Sequence, residues 1–168
     1  MNPSFDLLVS LAEIAGIFVG FGALIVLSHQ GDERVPEQQM VRQVVVIGLL
    51  TLVGALLPVG LAQLGLDGSL LWRWSSGGFF ALIWFALLHP SSWPLIIAQA
   101  RSNPRAAAFF WIVLETPIQV PLILAILGFF PAKVAGLYTV AVVVNLIEAA
   151  QLLAQIVYAR VARSGAEE

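Results

Sequence analysis

The stretch KVAGLYTVAVVVNLIEAAQLLAQIVYAR, residues 133–160, decides how the chain is read. It exceeds the about 20 residues that an α-helix needs to cross a bilayer. Yet its middle holds Asn145, Glu148 and Gln151, with Gln155 a turn further on. Carboxylates and carboxamides at hydrocarbon depth are costly and mark, by default, a functional site or a buried helix contact. At roughly 100° per residue, Val144, Glu148, Gln151 and Gln155 share one side of the helix and Asn145 lies at its edge.

Composition extends this reading to the whole chain. Of 168 residues, 60% are hydrophobic and 11% charged, and the mean hydropathy is +0.93. A soluble domain is about 45–50% apolar and about 25% charged. A soluble fold of this length cannot hide so much apolar surface, whereas a bilayer accommodates it. The net charge of −2 offers no basic footprint for nucleic acid. The absence of Cys excludes disulfides, thiolate zinc sites and cysteine catalysis. The first residues, MNPSFD, lack the basic start of a signal peptide, so the first apolar run is expected to be retained as a span.

Working outward from the last segment, the pattern predicts an all-α integral membrane protein. It is a single membrane domain, a bundle of five transmembrane helices over about 5–28, 43–65, 70–89, 106–130 and 133–160, with a short charged tail at 161–168. In the first span Ala12, Glu13, Gly16, Gly20 and Ala23 fall on one side. Gly16 and Gly20 form a GxxxG step, and small residues let a second helix approach closely in lipid. Glu13 is therefore expected to face protein. In the second span Thr51 and Gln63 are the main polar side chains. Pro58 has no N–H to give the carbonyl of Gly54, which predicts a kink. The third span enters through Trp72, Arg73 and Trp74, an interfacial signature, and Trp84 and Phe85 read as lipid-facing or packing residues. Residues 95–100 read as a short surface helix flanked by Arg101 and Arg105.

The fourth span contains Glu115, Thr116, Pro117, Gln119 and Pro121. Its two prolines free the carbonyls of Val113 and Pro117, which then need protein, hydroxyl or water partners. Glu115 and Gln119 are four apart and share a face. Five spans place the termini on opposite sides. Arg34, Arg42, Arg101, Arg105, Arg160 and Arg163 then share one side, against Arg73 and Lys133 on the other. Six against two is a positive-inside signal that puts the N-terminus outside and the C-terminus in the cytoplasm.

Three carboxylates thus lie inside predicted spans: Glu13, Glu115 and Glu148. At about 1.5 Å per residue they fall in one layer of roughly 10 Å about the midplane, with no Lys or Arg at that depth. If dry, such acids are expected to be protonated; if ionised, they need water or a cation bound by hard oxygen ligands. The expected site is Glu148, Glu115 and Glu13 with Asn145, Gln151 and Gln119, handling a proton or metal cation. The same residues serve equally as plain hydrogen bonds between helices. His29 and His89 sit at helix ends and do not form a haem pair. Ser10 has no matching base for serine chemistry. With no nucleophile or metal motif, an enzyme is not expected, and no cofactor is implied.

The chain reads first as a small proton or cation channel or carrier, with five spans so few that a homo-oligomer is expected. It reads second as a non-catalytic membrane subunit that binds other transmembrane helices. The segment LAEIAGIFVGFG, residues 11–22, resembles small bacterial membrane proteins in composition alone. That resemblance implies a bacterial inner membrane and assigns no residue a role.

Overall fold

The computed structural model describes residues 3–28, 35–89, 97, 101 and 103–164, and is helical throughout, with no strand among the described residues. The elements are α1 (Pro3–Ser28), α2 (Val35–Gln63), α3 (Gly68–Leu88), α4 (Pro104–Phe109), a π-helical turn (Phe110–Glu115), α5 (Thr116–Leu127), a 3-10 turn (Pro131–Lys133) and α6 (Val134–Ser164). The short α4, the π turn and α5 follow one another without a break and form a single rod. The surface helix expected over 95–100 lies outside the described residues apart from Ile97, as do His29, Arg34 and the last four residues of the tail.

Five segments are long and apolar enough to cross a membrane: Ser4–Ile25, Met40–Gln63, Gly68–Leu88, Phe110–Leu127 and Pro131–Tyr158. Only 28% to 33% of each apolar window is buried inside the bundle. The remainder turns Leu24, Phe85 and Ile112 outward, each more than 60% exposed. An apolar belt of that extent suits lipid and not water.

Helix α6 is the hub. It packs against α1, α2, α3 and the α4–α5 rod, while α1, α2, α3 and α5 form an arc around it in that order. Helix α1 and the rod therefore stand at the two ends of the arc. The core runs along α6 through Val134, Tyr138, Ala141, Val142 and Leu146, all buried. At the end where α1 begins, an aromatic column joins four side chains. Phe5 stacks on Trp72 at 5.8 Å, Trp72 meets Tyr138 at 5.8 Å, and Phe79 meets Tyr138 edge-on at 6.0 Å.

The proline in α2 explains part of this arrangement. Pro58 leaves the Gly54 carbonyl without its helical donor, and the Tyr138 hydroxyl of α6 donates to that same carbonyl. Gly54 is required there for space as well. A Cβ at residue 54 would lie 2.6 Å from the ring of Phe79.

A second cross-helix cap closes α5. Gly128 adopts φ 71°, and its N–H and that of Phe129 return to the carbonyls of Ala125 and Leu124. Arg73 of α3 donates through Nε to the Ile126 carbonyl at 3.0 Å. A guanidinium at a helix C-terminus complements the partial negative charge of the exposed carbonyls. Arg73 thus ties α3 to α5, a role that its interfacial setting did not announce.

The packing face of α1 corrects the sequence reading. Its buried side is Leu8, Leu11, Ala12, Ala15 and Gly22. A Cβ at Gly22 would meet Val45 at 2.7 Å, and one at Gly48 would meet Val19 at 2.8 Å, so α1 and α2 approach through these two glycines. Gly20 and Ala23 are exposed, and a Cβ at Gly20 would touch nothing within 4 Å. Leu8, Ala15 and Gly22 repeat every seven residues, the spacing of a close helix seam. Glu13 lies about 140° round the helix from Leu8 at roughly 100° per residue. It is exposed, not turned toward the bundle as expected.

Candidate functional site

The polar interior lies in the half of the bundle toward the start of α2 and the end of α6. It is built from α2, the rod and α6. On α6, Asn145 and Glu148 are three residues apart and so lie on neighbouring parts of one face. They are 3% and 4% exposed. The Asn145 amide Nδ2 donates to the Thr51 hydroxyl at 2.7 Å and to the Ile47 carbonyl at 3.3 Å. Thr51 in turn donates to the same Ile47 carbonyl at 2.9 Å. Thr51, 0% exposed, is therefore half of a clamp between α2 and α6. A lone hydroxyl within an apolar span, opposite a lone carboxamide, is the sequence signal that could have paired them.

On the rod, the chain widens into the π turn just before Pro117. Proline cannot supply its N–H and its ring crowds the carbonyl four residues back, so an adjacent wide turn relieves the clash. The Thr116 hydroxyl donates to the Trp111 carbonyl at 2.7 Å, five residues back, and not to the Val113 carbonyl that Pro117 frees. The turn ends on Glu115, which is buried, 4% exposed. Gln119 donates through Nε2 to Glu115 Oε2 at 3.0 Å. Its other polar atom, Oε1, is buried and has no hydrogen-bond partner among the described residues.

Glu115 and Glu148 stand, both buried, on the rod and on α6, two segments that pack against each other. No group of three or more His, Asp and Glu side chains gathers anywhere among those residues.

The remaining predicted members do not join. Glu13 is on the outer surface of α1, at the far end of the arc from Glu115. Gln151 and Gln155 are both exposed. The buried face of α6 centres on Tyr138, Asn145 and Ile156, and Glu148 sits at its edge. Gln151 lies about 60° beyond that edge, on the side away from Asn145, at roughly 100° per residue. His89 is exposed at the end of α3, with its ring against Phe85. The structure thus pairs Glu115 with Gln119 on the rod and Asn145 with Thr51 between α6 and α2, with Glu148 buried on α6 a turn from Asn145.

Comparison with known protein families, with curated proteins and with solved structures finds no significant match to this chain.

Proposed function

We propose that this chain is a multi-pass membrane protein that moves protons or small cations past the Glu115–Glu148 pair. The N-terminus is outside and the C-terminus cytoplasmic, as the asymmetry of Arg and Lys requires. The observation that carries the reading is a pair of buried carboxyls on two segments that pack against each other, Glu115 on the rod and Glu148 on α6. Their depths agree. Glu115 is three to four residues from the middle of Phe110–Leu127 and Glu148 equally far from the middle of Pro131–Tyr158. Both lie about 5 Å to the cytoplasmic side at 1.5 Å per residue. Unneutralised acids at that depth belong to ion and proton pathways more than to packing. The rod's proline break, with its widened turn directly before Glu115, matches the interrupted helices that transporters place at their binding sites.

Reconstituted vesicles test this. Under an imposed proton or cation gradient, the wild-type protein is expected to carry flux that falls at least tenfold in Glu148→Gln. Undiminished flux in that variant, or no flux for protons or any alkali or alkaline-earth cation, would refute the reading.

A second reading draws on Glu13. This carboxyl, exposed near the middle of Ser4–Ile25 beside Gly16 and Gly20, favours a subunit whose α1 meets a transmembrane helix of another protein or of a second copy. Recovery of the chain from native membranes at fixed stoichiometry with one partner, and not as monomer, would favour it.

A further inference from the structure

We infer that α1 pairs with α1 of a second copy of this chain, in parallel and about a twofold axis, along a stripe of Asp6, Ser10, Glu13, Ile17, Gly20 and Leu24. This rests on the second reading and names its partner. It does not depend on whether ions pass.

Between Phe5 and Leu27 the helix has three polar side chains, Asp6, Ser10 and Glu13. All of them are exposed. They follow one another in steps of four and three residues, and the same steps continue through Ile17, Gly20 and Leu24, which are exposed as well. A repeat of about 3.5 residues keeps one stripe against one neighbouring helix. At roughly 100° per residue the six positions fall within about 80° of one another. The centre of the stripe lies about 180° round the helix from the seam of Leu8, Ala15 and Gly22, which is buried in the bundle. Helix α1 thus has two seams, one filled from inside and one turned outward.

The outward seam does not suit lipid. Glu13 lies about 2 Å and Ser10 about 7 Å from the middle of Ser4–Ile25, at about 1.5 Å per residue. Ionisable side chains at that depth face protein or a water-filled cavity as a rule. Gly20 is a separate sign. A Cβ there would touch nothing within 4 Å, so packing within one copy gives no reason for a glycine, which weakens a helix interior. In the outward seam the same glycine lets a second backbone come close.

A second copy is the occupant that fits. Every copy enters the membrane in one orientation, so the symmetry axis of a closed assembly runs along the membrane normal and each residue keeps its depth. Among the described residues, the exposed polar side chains within about 5 Å of the middle of their spans are Glu13 and Thr116. The start of α1 and the end of the rod share one end of the bundle, since Phe5 stacks on Trp72 and Arg73 bonds Ile126. Thr116 therefore stands on the opposite side of the middle from Glu13, about 4 Å away from it, and its hydrogen is given to Trp111. The group in a second copy that meets Glu13 at its own depth is Glu13. A carboxyl with its proton donates one hydrogen bond and accepts another, and a hydroxyl does the same. Glu13 facing Glu13 and Ser10 facing Ser10 are each satisfied across a twofold axis, and such a contact closes at two copies. A foreign helix would have to bring matching groups at both depths.

The chain has no Cys, so single cysteines placed in the full-length protein report the contact. In native membranes under mild oxidation, Ser10→Cys, Ile17→Cys and Leu24→Cys should give a disulfide-linked dimer in at least about fivefold higher yield than Leu7→Cys and Ile14→Cys. Those two controls are exposed but lie about 80–100° off the stripe. Val120→Cys, exposed at a similar depth on the rod, should stay unlinked. Adding Glu13→Leu to Ile17→Cys should cut the yield at least about fivefold, while Glu13→Gln, whose carboxamide also donates and accepts, should keep most of it. All of these positions are exposed, so the substitutions leave the bundle interior as it is. Equal yields on and off the stripe, linkage through Val120→Cys instead, or a yield that Glu13→Leu leaves unchanged would each overturn the inference. Recovery at fixed stoichiometry with a different protein, without a linked dimer, overturns the second copy and spares the second reading. A monomer in native membranes sinks both.

Discussion

Helix α6 passes through two polar regions about three turns apart at 3.6 residues per turn, and the two are opposites. At Tyr138 one polar pair is matched: Pro58 orphans one carbonyl, Tyr138 brings one hydroxyl to it, and aromatic rings enclose the pair, while the buried Ser76 hydroxyl on the same face of α3 has no partner among the described residues. In the other region an acceptor is left over: Gln119 gives its N–H to Glu115, and its Oε1 is buried without a partner among the described residues. Two buried polar centres on one helix thus have different uses. A balanced centre specifies packing and resists change. An unbalanced one is held in place by its neighbours and keeps capacity for something that comes and goes.

The largest effect on stability is expected at the balanced centre. Gly54→Ala places a methyl group 2.6 Å from the ring of Phe79 and should cost about 1–3 kcal/mol, the usual range for overpacking. Reversible unfolding in mixed micelles would read it. A cost below a few tenths of a kcal/mol would mean that the α2–α3 contact yields easily and that the contrast is overdrawn. Next comes Tyr138→Phe, which returns the Gly54 carbonyl to its orphaned state. The expected loss is about 1–2 kcal/mol, typical of a hydrogen bond between helices in lipid, with ion flux kept. Loss of flux without loss of stability would place Tyr138 in the ion path and merge the two regions. The smallest effect belongs to Glu13→Leu. If only lipid covers that face, stability should change by less than about 0.5 kcal/mol or improve, in line with other surface changes. A drop in oligomeric state on native gels would instead show that another helix covers Gly16 and Gly20.

The contrast also explains what could be read from the chain alone. Five apolar helices were legible because run length and hydropathy need no knowledge of neighbours. A break near Pro117 was legible too, since proline removes a helical donor, but the Thr116 hydroxyl serves the Trp111 carbonyl and not that of Val113. Pro58 identified the Gly54 carbonyl in the same way, but its donor lies 84 residues further along, and nothing local points to it. The site was partly legible. The Glu115–Gln119 pairing follows from spacing on one helix, whereas the packing of the rod against α6, which carries Glu148, depends on the tertiary fold. Glu13 failed for a related reason. The sequence pointed to one seam along α1, through Gly16 and Gly20, whereas the structure uses another, through Leu8, Ala15 and Gly22. Choosing between them requires the shape of α2, where Gly48 receives Val19. Gln151 and Gln155 were carried along with Glu148 by periodicity, but periodicity does not say where a buried face ends.

The Tyr138 bond has a consequence for the order in which the protein is made. The carbonyl of Gly54 is orphaned by a residue in the second helix and satisfied only by the sixth, which is made after the other five. Until then α2 carries an open acceptor, and the arc of α1, α2, α3 and α5 has no hub to close on. Early helices generally fold as they emerge, but here the first four form an unfinished shell. Synthesis must reach α6 before the bundle has a centre, so a chain that stops short of Tyr138 should be recognised as incomplete by the cell's quality control, however well its earlier helices have formed.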